Sequence, residues 1–445
     1  MFDLILHSGS CFTPSGLTKA DVAVRDGRIV AVGDLSSEEA SERVDCTGLT
    51  ILPGVIDSQV HFREPGLEHK EDLESGTRGA VLGGVTSIFE MPNTKPATTT
   101  KEALDDKLTR AIGRAWCDYA FFIGAAEENA DQLPELENLP GCAGVKLFMG
   151  SSTGSLLVAE SDAVRRVLLS GRRRVSVHSE DEQRMRERWE LVEGGAEVSM
   201  HPVWRDVEAA VSNTKRLIEL ARETQRQVHV LHITTGEEIE LLGACKDIAT
   251  AEATPQHLTF AAPECYERLG SRVQMNPPIR VERHRDRLWR GVTEGVVDVL
   301  GSDHAPHTLE EKSRPYPQSP SGMTGVQTLL PVMLDHVAAG RLTLERLVDL
   351  TSAGPQRIFN ISRKGRLAVG YDADFAVVDL AARWTITDSW IASKAGWTPY
   401  DGVEVTGRPV HTLVRGRFAV RDGETASSGL GAPVEFLETM RRPQT

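Results

Sequence analysis

The chain has 445 residues, with 50 Lys and Arg against 64 Asp and Glu, and carries a net charge of −14 with His neutral. That balance disfavours a nucleic-acid partner, and Phe2 to Leu6, ending at once in His7 and Ser8, is too short to span a membrane or act as a leader. Six cysteines, at 11, 46, 117, 142, 245 and 265, show no C-x-x-C spacing and read as reduced thiols of a cytoplasmic protein.

In chain order, Asp21 to Val32 reads as two alternating strands turned at Asp26-Gly27, a strong hairpin signal. From Gly54 an apolar strand then runs to His61 and is followed by Phe62-Arg63-Glu64-Pro65-Gly66. A buried strand that delivers His and Arg at its last residues suits the lip of a barrel. The pattern recurs at Val85–Met91, Cys117–Ile123, Ala143–Met149, Val175–Val177, Val228–Ile233, Ile248–Ala253 and Val296–Leu300. Amphipathic stretches separate most of these runs. Thr99 with Glu102 predicts a capping box before a helix reaching to Ala115, and Leu217, Ile218, Leu220 and Ala221 form an apolar stripe. Eight strands alternating with helices predict a parallel (β/α)8 TIM-like barrel.

Such a barrel needs roughly 250 residues, so a second module is expected. Leu413 to Glu424 repeats the hairpin device, and Val420-Arg421-Asp422-Gly423 is the same tetrapeptide as Val24-Arg25-Asp26-Gly27. This predicts a small β-sandwich domain formed from both chain ends, with residues 1–53 and 365–445 flanking a barrel over 54–364. The stretch Pro306 to Pro320, rich in Pro, Ser and charge, reads as mobile, and Ser151 to Gly154 as either a lid or an ordinary connection.

His61, Lys146, His178, His232 and Asp303 fall at or near the C-terminal ends of predicted barrel strands, where distant residues converge on one pocket. Imidazoles with a carboxylate are a ligand set for zinc or a similar divalent ion. Singly, each has a plainer explanation, a hydrogen-bonded loop histidine or a snorkelling lysine. Together they favour a metal site.

These residues carry a family resemblance. Asp57 through Gly66, Met91-Pro92-Asn93-Thr94, Gly144 through Gly150, Asn276-Pro277-Pro278-Ile279-Arg280, Asp303-His304-Ala305-Pro306-His307 and Gly365 through Asp374 resemble motifs of the dihydroorotases, metal-dependent cyclic-amide hydrolases of the amidohydrolase superfamily. The resemblance implies one or two zinc ions bridged by an N-carboxylated Lys146, with His61 and Asp303 on one ion and His178 and His232 on the other. It implies that Asp303 shuttles a proton from the attacking water to the leaving ring nitrogen. Arg63, Asn93 and His307 would hold the carboxylate of the small-molecule substrate, and Asn276 would touch its ring. The reaction implied is the interconversion of L-dihydroorotate and N-carbamoyl-L-aspartate in de novo pyrimidine biosynthesis. Homodimers are common in the family.

One departure matters: Gln59-Val60-His61 stands where the family has His-x-His. An amide oxygen is a poorer donor to zinc than imidazole. This leaves a two-metal enzyme with altered coordination, a one-metal enzyme using the His178 and His232 side, or a silent homologue. Gln256, in Thr254-Pro255-Gln256-His257, likewise replaces a family histidine. Two other readings remain: another cyclic-amide hydrolase of the allantoinase or hydantoinase type, indifferent to Arg63, and a non-catalytic partner of aspartate transcarbamoylase, resting on Gln59 alone.

Overall fold

A computed structural model describes residues 1–152 and 156–440 of the chain. The predicted lid or connection at Ser151 to Gly154 therefore lies partly outside the described residues.

Eight parallel strands form one sheet: β1 (Val55–Val60), β2 (Val85–Glu90), β3 (Asp118–Gly124), β4 (Cys142–Phe148), β5 (Val175–His178), β6 (Val228–Val230), β7 (Ala249–Ala253) and β8 (Val299–Leu300). They neighbour one another in chain order. The ring closes beyond β8, where Val60 and His304 form a parallel bridge and the His61 N–H donates to the His304 carbonyl at 2.7 Å. Helices cover the outer face, so nearly every strand residue is buried on both sides. Strands in that situation read as continuous apolar runs rather than alternations, which is why all eight were visible in the sequence. The last is shorter than expected, because Val297 turns its N–H back to Gly291.

The helices correct the sequence reading in detail. Lys101–Ala111 is capped by the Thr100 hydroxyl, not Thr99, and stops short of Ala115. Val207–Thr224 starts at the Asp206 cap and buries Leu217, Ile218, Leu220 and Ala221 as the apolar stripe requires.

The remaining strands form two sheets from both chain ends. One is four-stranded and holds Phe2–His7, Asp21–Arg25, Arg28–Gly33 and Ala40–Asp45. The other is seven-stranded, and in it Thr50–Pro53 pairs antiparallel with Phe375–Val378. Leu4, Leu6, Val24, Ile51, Phe375, Val377 and Leu413 share the apolar core of this sandwich. Its two Asp-Gly turns are alike: Asp26 and Gly27 have φ of 51° and 73°, Asp422 and Gly423 of 51° and 80°. Two successive left-handed residues give the turn whose twist matches a hairpin, and they select this dipeptide.

Two segments after residue 365 leave the sandwich. Between Ile386 and Val403 the chain reaches the mouth of the barrel, where the buried Trp397 indole donates to the His307 carbonyl at 2.7 Å. Further on, Gly431 and Val434 bond back to Ala115 and Tyr119 at the opposite end, and Val434 and Phe436 pack with Phe89, Phe122 and Phe359 as a floor under the strands. The stretch from Pro306 to Pro320 is pinned rather than mobile. It contains a helical turn, Leu309–Lys312, and the buried Lys312 ammonium donates to the carbonyls of Gln274, Pro320 and Gly322 at 3.2, 2.8 and 2.9 Å. No described helix is long and apolar enough to cross a membrane.

Candidate active site

The C-terminal ends of the strands bring six side chains together. β1 leads to Gln59 and His61, β4 carries Lys146, β5 ends in His178, and the residues after β6 and β8 are His232 and Asp303. His232 and Asp303 have φ of 36° and 46°, and Arg63 beyond β1 has 65°. Left-handed backbone at a non-glycine residue costs about 1 kcal/mol or more and persists where surrounding structure over-determines it, often at functional sites. Other positive-φ residues, such as Asp26, Arg415 and Asp422, sit in ordinary hairpin turns.

Two pairs of donor atoms face each other. His61 Nε2 lies 3.2 Å from Asp303 Oδ1, while its Nδ1 meets the Asn93 side-chain oxygen at 2.8 Å. An amide oxygen only accepts, so the His61 proton sits on Nδ1 and the Nε2 lone pair points at a carboxylate oxygen. Gln59 Nε2 donates to that same Asp303 oxygen at 3.0 Å, and Gln59 Oε1 is buried without a hydrogen-bond partner. In the second pair, His178 Nδ1 lies 3.1 Å from His232 Nε2. His178 Nε2 meets Glu180 Oε2 at 2.9 Å, and Glu180 is clamped by the buried Arg205. His232 Nδ1 has no partner.

Lys146 lies among these groups. It is 0 % exposed and its ammonium nitrogen makes no hydrogen bond. Burial lowers its pKa to about 7, against the opposing pull of Asp303 and Glu252. Burial likewise depresses His61, His178 and His232, and the Lys146 charge adds to the effect on all three. Three neutral imidazoles, a carboxylate, an orphaned amide oxygen and an orphaned amine, with the His61 lone pair opposed to Asp303 at 3.2 Å and two imidazole nitrogens facing each other at 3.1 Å, suit divalent cations. These residues fit a metal centre.

Beside this centre lies Arg63, 3 % exposed. The rim salt bridge to Glu64 or Glu71, its plainest structural role, is not formed. Glu64 is held by Arg110, Arg114 and the Leu73 N–H, and Glu71 by Ser75 and His304. Arg63 Nε instead donates to the Pro306 carbonyl at 3.1 Å, and Nη2 lies 3.2 Å from His307 Nε2. Among the described residues no carboxylate lies within ion-pair distance of it. Burial lowers its pKa to about 10, opposed by more distant acids, Asp303 first. The loop can turn so tightly because residue 66 is glycine: φ is +95° there, and a Cβ would lie 2.2 Å from the Lys95 carbonyl.

The other predicted positions are placed as follows. Asn93 orients His61, and His307 adjoins Arg63. Asn276 is engaged elsewhere: its side-chain oxygen meets His201 Nε2 at 3.0 Å. Gln256 donates from Nε2 to the Ser302 carbonyl at 2.9 Å, beside the Asp303 backbone. Within Asp303-His304-Ala305-Pro306-His307 the roles divide, since His304 accepts from the Gly325 N–H and faces Glu71. Arg205, Lys70, Glu311 and His201 belong to this network and carried no sequence signal. Glu180, two residues beyond His178 on an extended segment, shares its side of the backbone, which was a readable sign.

A second cluster with metal-like spacing lies at the floor: Asp118, Asp372 and Asp374 converge there. It is filled by the chain itself. The Lys364 ammonium sits 2.6, 3.0 and 2.6 Å from the three carboxylates, and Arg415 also reaches Asp118.

Comparison with known proteins agrees with this geometry. The amidohydrolase family model matches residues 50–419. A dihydroorotase of Methanosarcina acetivorans is 33% identical over 98% of this chain and 96% of its own. An L-hydantoinase of Paenarthrobacter aurescens is 32% identical over 95% and 96%. The solved structure of an L-hydantoinase (dihydropyrimidinase) from Arthrobacter aurescens superposes with a TM-score of 0.93 at 31% identity, covering 98% of this chain and all of that one.

Proposed function

The chain is a member of the amidohydrolase family, and from that premise we propose that it is a metal-dependent dihydroorotase that opens L-dihydroorotate to N-carbamoyl-L-aspartate and closes it in reverse, as in de novo pyrimidine biosynthesis. That it is a hydrolase of cyclic amides follows from its relatives. The narrower reading is carried by one observation: a buried arginine beside the candidate metal centre, with two terminal nitrogens and no carboxylate of its own. The ring carboxylate of dihydroorotate matches that planar fork.

In this reading His61, Asp303, the Gln59 oxygen, His178 and His232 would hold the zinc, with Lys146, as its carbamate, as a further ligand. When bound, such ions polarise an amide carbonyl and make a water acidic enough to attack at neutral pH. Lys146 suits carboxylation because its lowered pKa leaves a large share of free amine near neutrality. The amine adds to carbon dioxide and releases one proton, which replaces a costly buried ammonium with an anionic ligand. Asn93 fixes the His61 tautomer, and Glu180, held by Arg205, fixes that of His178. Asp303 Oδ1 is occupied by Gln59, which leaves Oδ2 to take the proton of the attacking water and pass it to the ring nitrogen as the C–N bond breaks. Arg63 holds the non-reacting carboxylate, with His307 beside it.

The L-hydantoinase relatives favour a second reading, ring opening of a hydantoin. The two separate in one assay: ring opening of L-dihydroorotate, hydantoin and allantoin by the purified protein, supplied with zinc and bicarbonate. Turnover confined to dihydroorotate supports the proposal. Turnover of hydantoin alone, or of none of the three by metal-loaded protein, overturns it.

A further inference from the structure

We propose that Lys70 is a positioning residue for carboxylate recognition, acting through the tautomer of His307 to keep both terminal nitrogens of Arg63 available to the substrate. The inference rests on the dihydroorotase reading of the site.

Lys70 lies in the loop after β1. Its ammonium is 3.1 Å from His307 Nδ1 and 2.9 Å from Glu311 Oε1. An ammonium has three donors and no acceptor. His307 must therefore accept at Nδ1 and carry its proton on Nε2. The far side of the ring agrees, for Nε2 lies 3.0 Å from the Ser321 carbonyl, which can only accept. Burial holds the imidazole neutral, with Arg63, Lys70 and Lys312 adding to the effect and Glu311 opposing it, so that its pKa is about 3.

With a proton on Nε2, the 3.2 Å approach of Arg63 Nη2 sets two donors face to face. That contact is not a hydrogen bond. Since Nε is committed to the Pro306 carbonyl, Nη1 and Nη2 remain as a fork for one carboxylate. Without the Lys70 ammonium, the imidazole proton gains a place on Nδ1, facing Glu311 Oε2 at 3.6 Å, and the Nε2 lone pair captures Arg63 Nη2 at the expense of the hydrogen bond to the Ser321 carbonyl. The fork then loses a donor. Lys70 itself is held in place because Glu311 is fixed: it closes a capping box with Thr308, whose N–H donates to Oε2 at 3.2 Å.

The test compares wild type, Lys70→Met and Lys70→Arg in steady-state ring opening of L-dihydroorotate, with zinc content and thermal melting measured in parallel. K70M is expected to raise KM about tenfold or more with kcat within about threefold, the signature of lost ground-state recognition, and K70R, which keeps a donor, to restore most of it. Lys70→Thr, too short to reach His307, gives the same reading where K70M does not fold. A K70M enzyme with unchanged KM overturns the inference, as does one that loses zinc and kcat instead. If wild type fails to open L-dihydroorotate, the reading of function fails first; if wild type is active and K70M matches it, only the role of Lys70 fails.

Discussion

At the floor of the barrel Asp118, Asp372 and Asp374 share the ammonium of Lys364, and at its mouth the ammonium nitrogen of Lys146 has no hydrogen-bond partner among the described residues, only the Phe148 ring 4.5 Å away. Both are buried lysines near carboxylates. Burial lowers both, yet Asp374 and Asp372 outweigh it at Lys364 and leave that residue raised, whereas Lys146 falls to about 7. The first cluster is complete within the chain and joins sandwich to barrel. The second is complete only when a ligand set of imidazoles, carboxylate and amide finds its cations. Spacing alone ranks the floor as the better metal site; hydrogen-bond accounting reverses the order.

The largest expected effect separates the two lysines by activity. Lys146→Met should cut ring-opening turnover by about 10³-fold or more, roughly 4 kcal/mol of barrier, while calorimetry finds a melting temperature no lower than wild type, since a buried, unpaired amine is removed. A clear loss of stability would erase the contrast. Lys364→Met should do the opposite: it strands three carboxylates, an unfolding penalty of roughly 3–5 kcal/mol in denaturant titrations, with turnover per folded molecule retained. Equal stability would mean that the floor cluster does not tie the sandwich to the barrel. Next, Arg63→Ala should raise KM for L-dihydroorotate by roughly 10- to 100-fold through loss of a charge-assisted contact, leaving any turnover of hydantoin unchanged. Equal loss on both substrates would point to a role in building the site rather than in selecting a carboxylate. Smallest is Gln59→His, which restores the family's imidazole. Chelator competition should show zinc held about tenfold more tightly, and no change would mean that Gln59 is not a ligand position.

How far the sequence could be read depended on the range of the interaction. The eight strands were legible because burial on both faces writes itself into consecutive residues, and the Asp-Gly turns because two left-handed positions tolerate few residues. His61, Lys146, His178, His232 and Asp303 were found by their place at strand ends, and the structure gathers them. Partners brought together by the fold alone were not legible. Arg205 reaches Glu180 from 25 residues away and Lys70 meets His307 across 237, and one sequence without relatives holds no trace of such pairs. The expectation of a mobile loop at Pro306 to Pro320 failed for the same reason. Its composition is that of a loop, but Lys312 is spent on three carbonyls, one of them Gln274 in a distant segment. By pattern Thr99, with Glu102 three residues on, was the better cap, and only backbone geometry gave the place to Thr100.

The floor made by Val434 and Phe436 bears on how the protein is made. These residues come long after the barrel's own strands in the sequence, yet they close the underside of a barrel whose first strand begins at Val55. On the ribosome the strands emerge in order, and domains near the N-terminus commonly fold as they appear. This barrel must wait. Until Val434 and Phe436 clear the exit tunnel, Phe89, Phe122 and Phe359 lack the cover these residues supply from beneath. A chain cut before Val434 is therefore a natural client for chaperones.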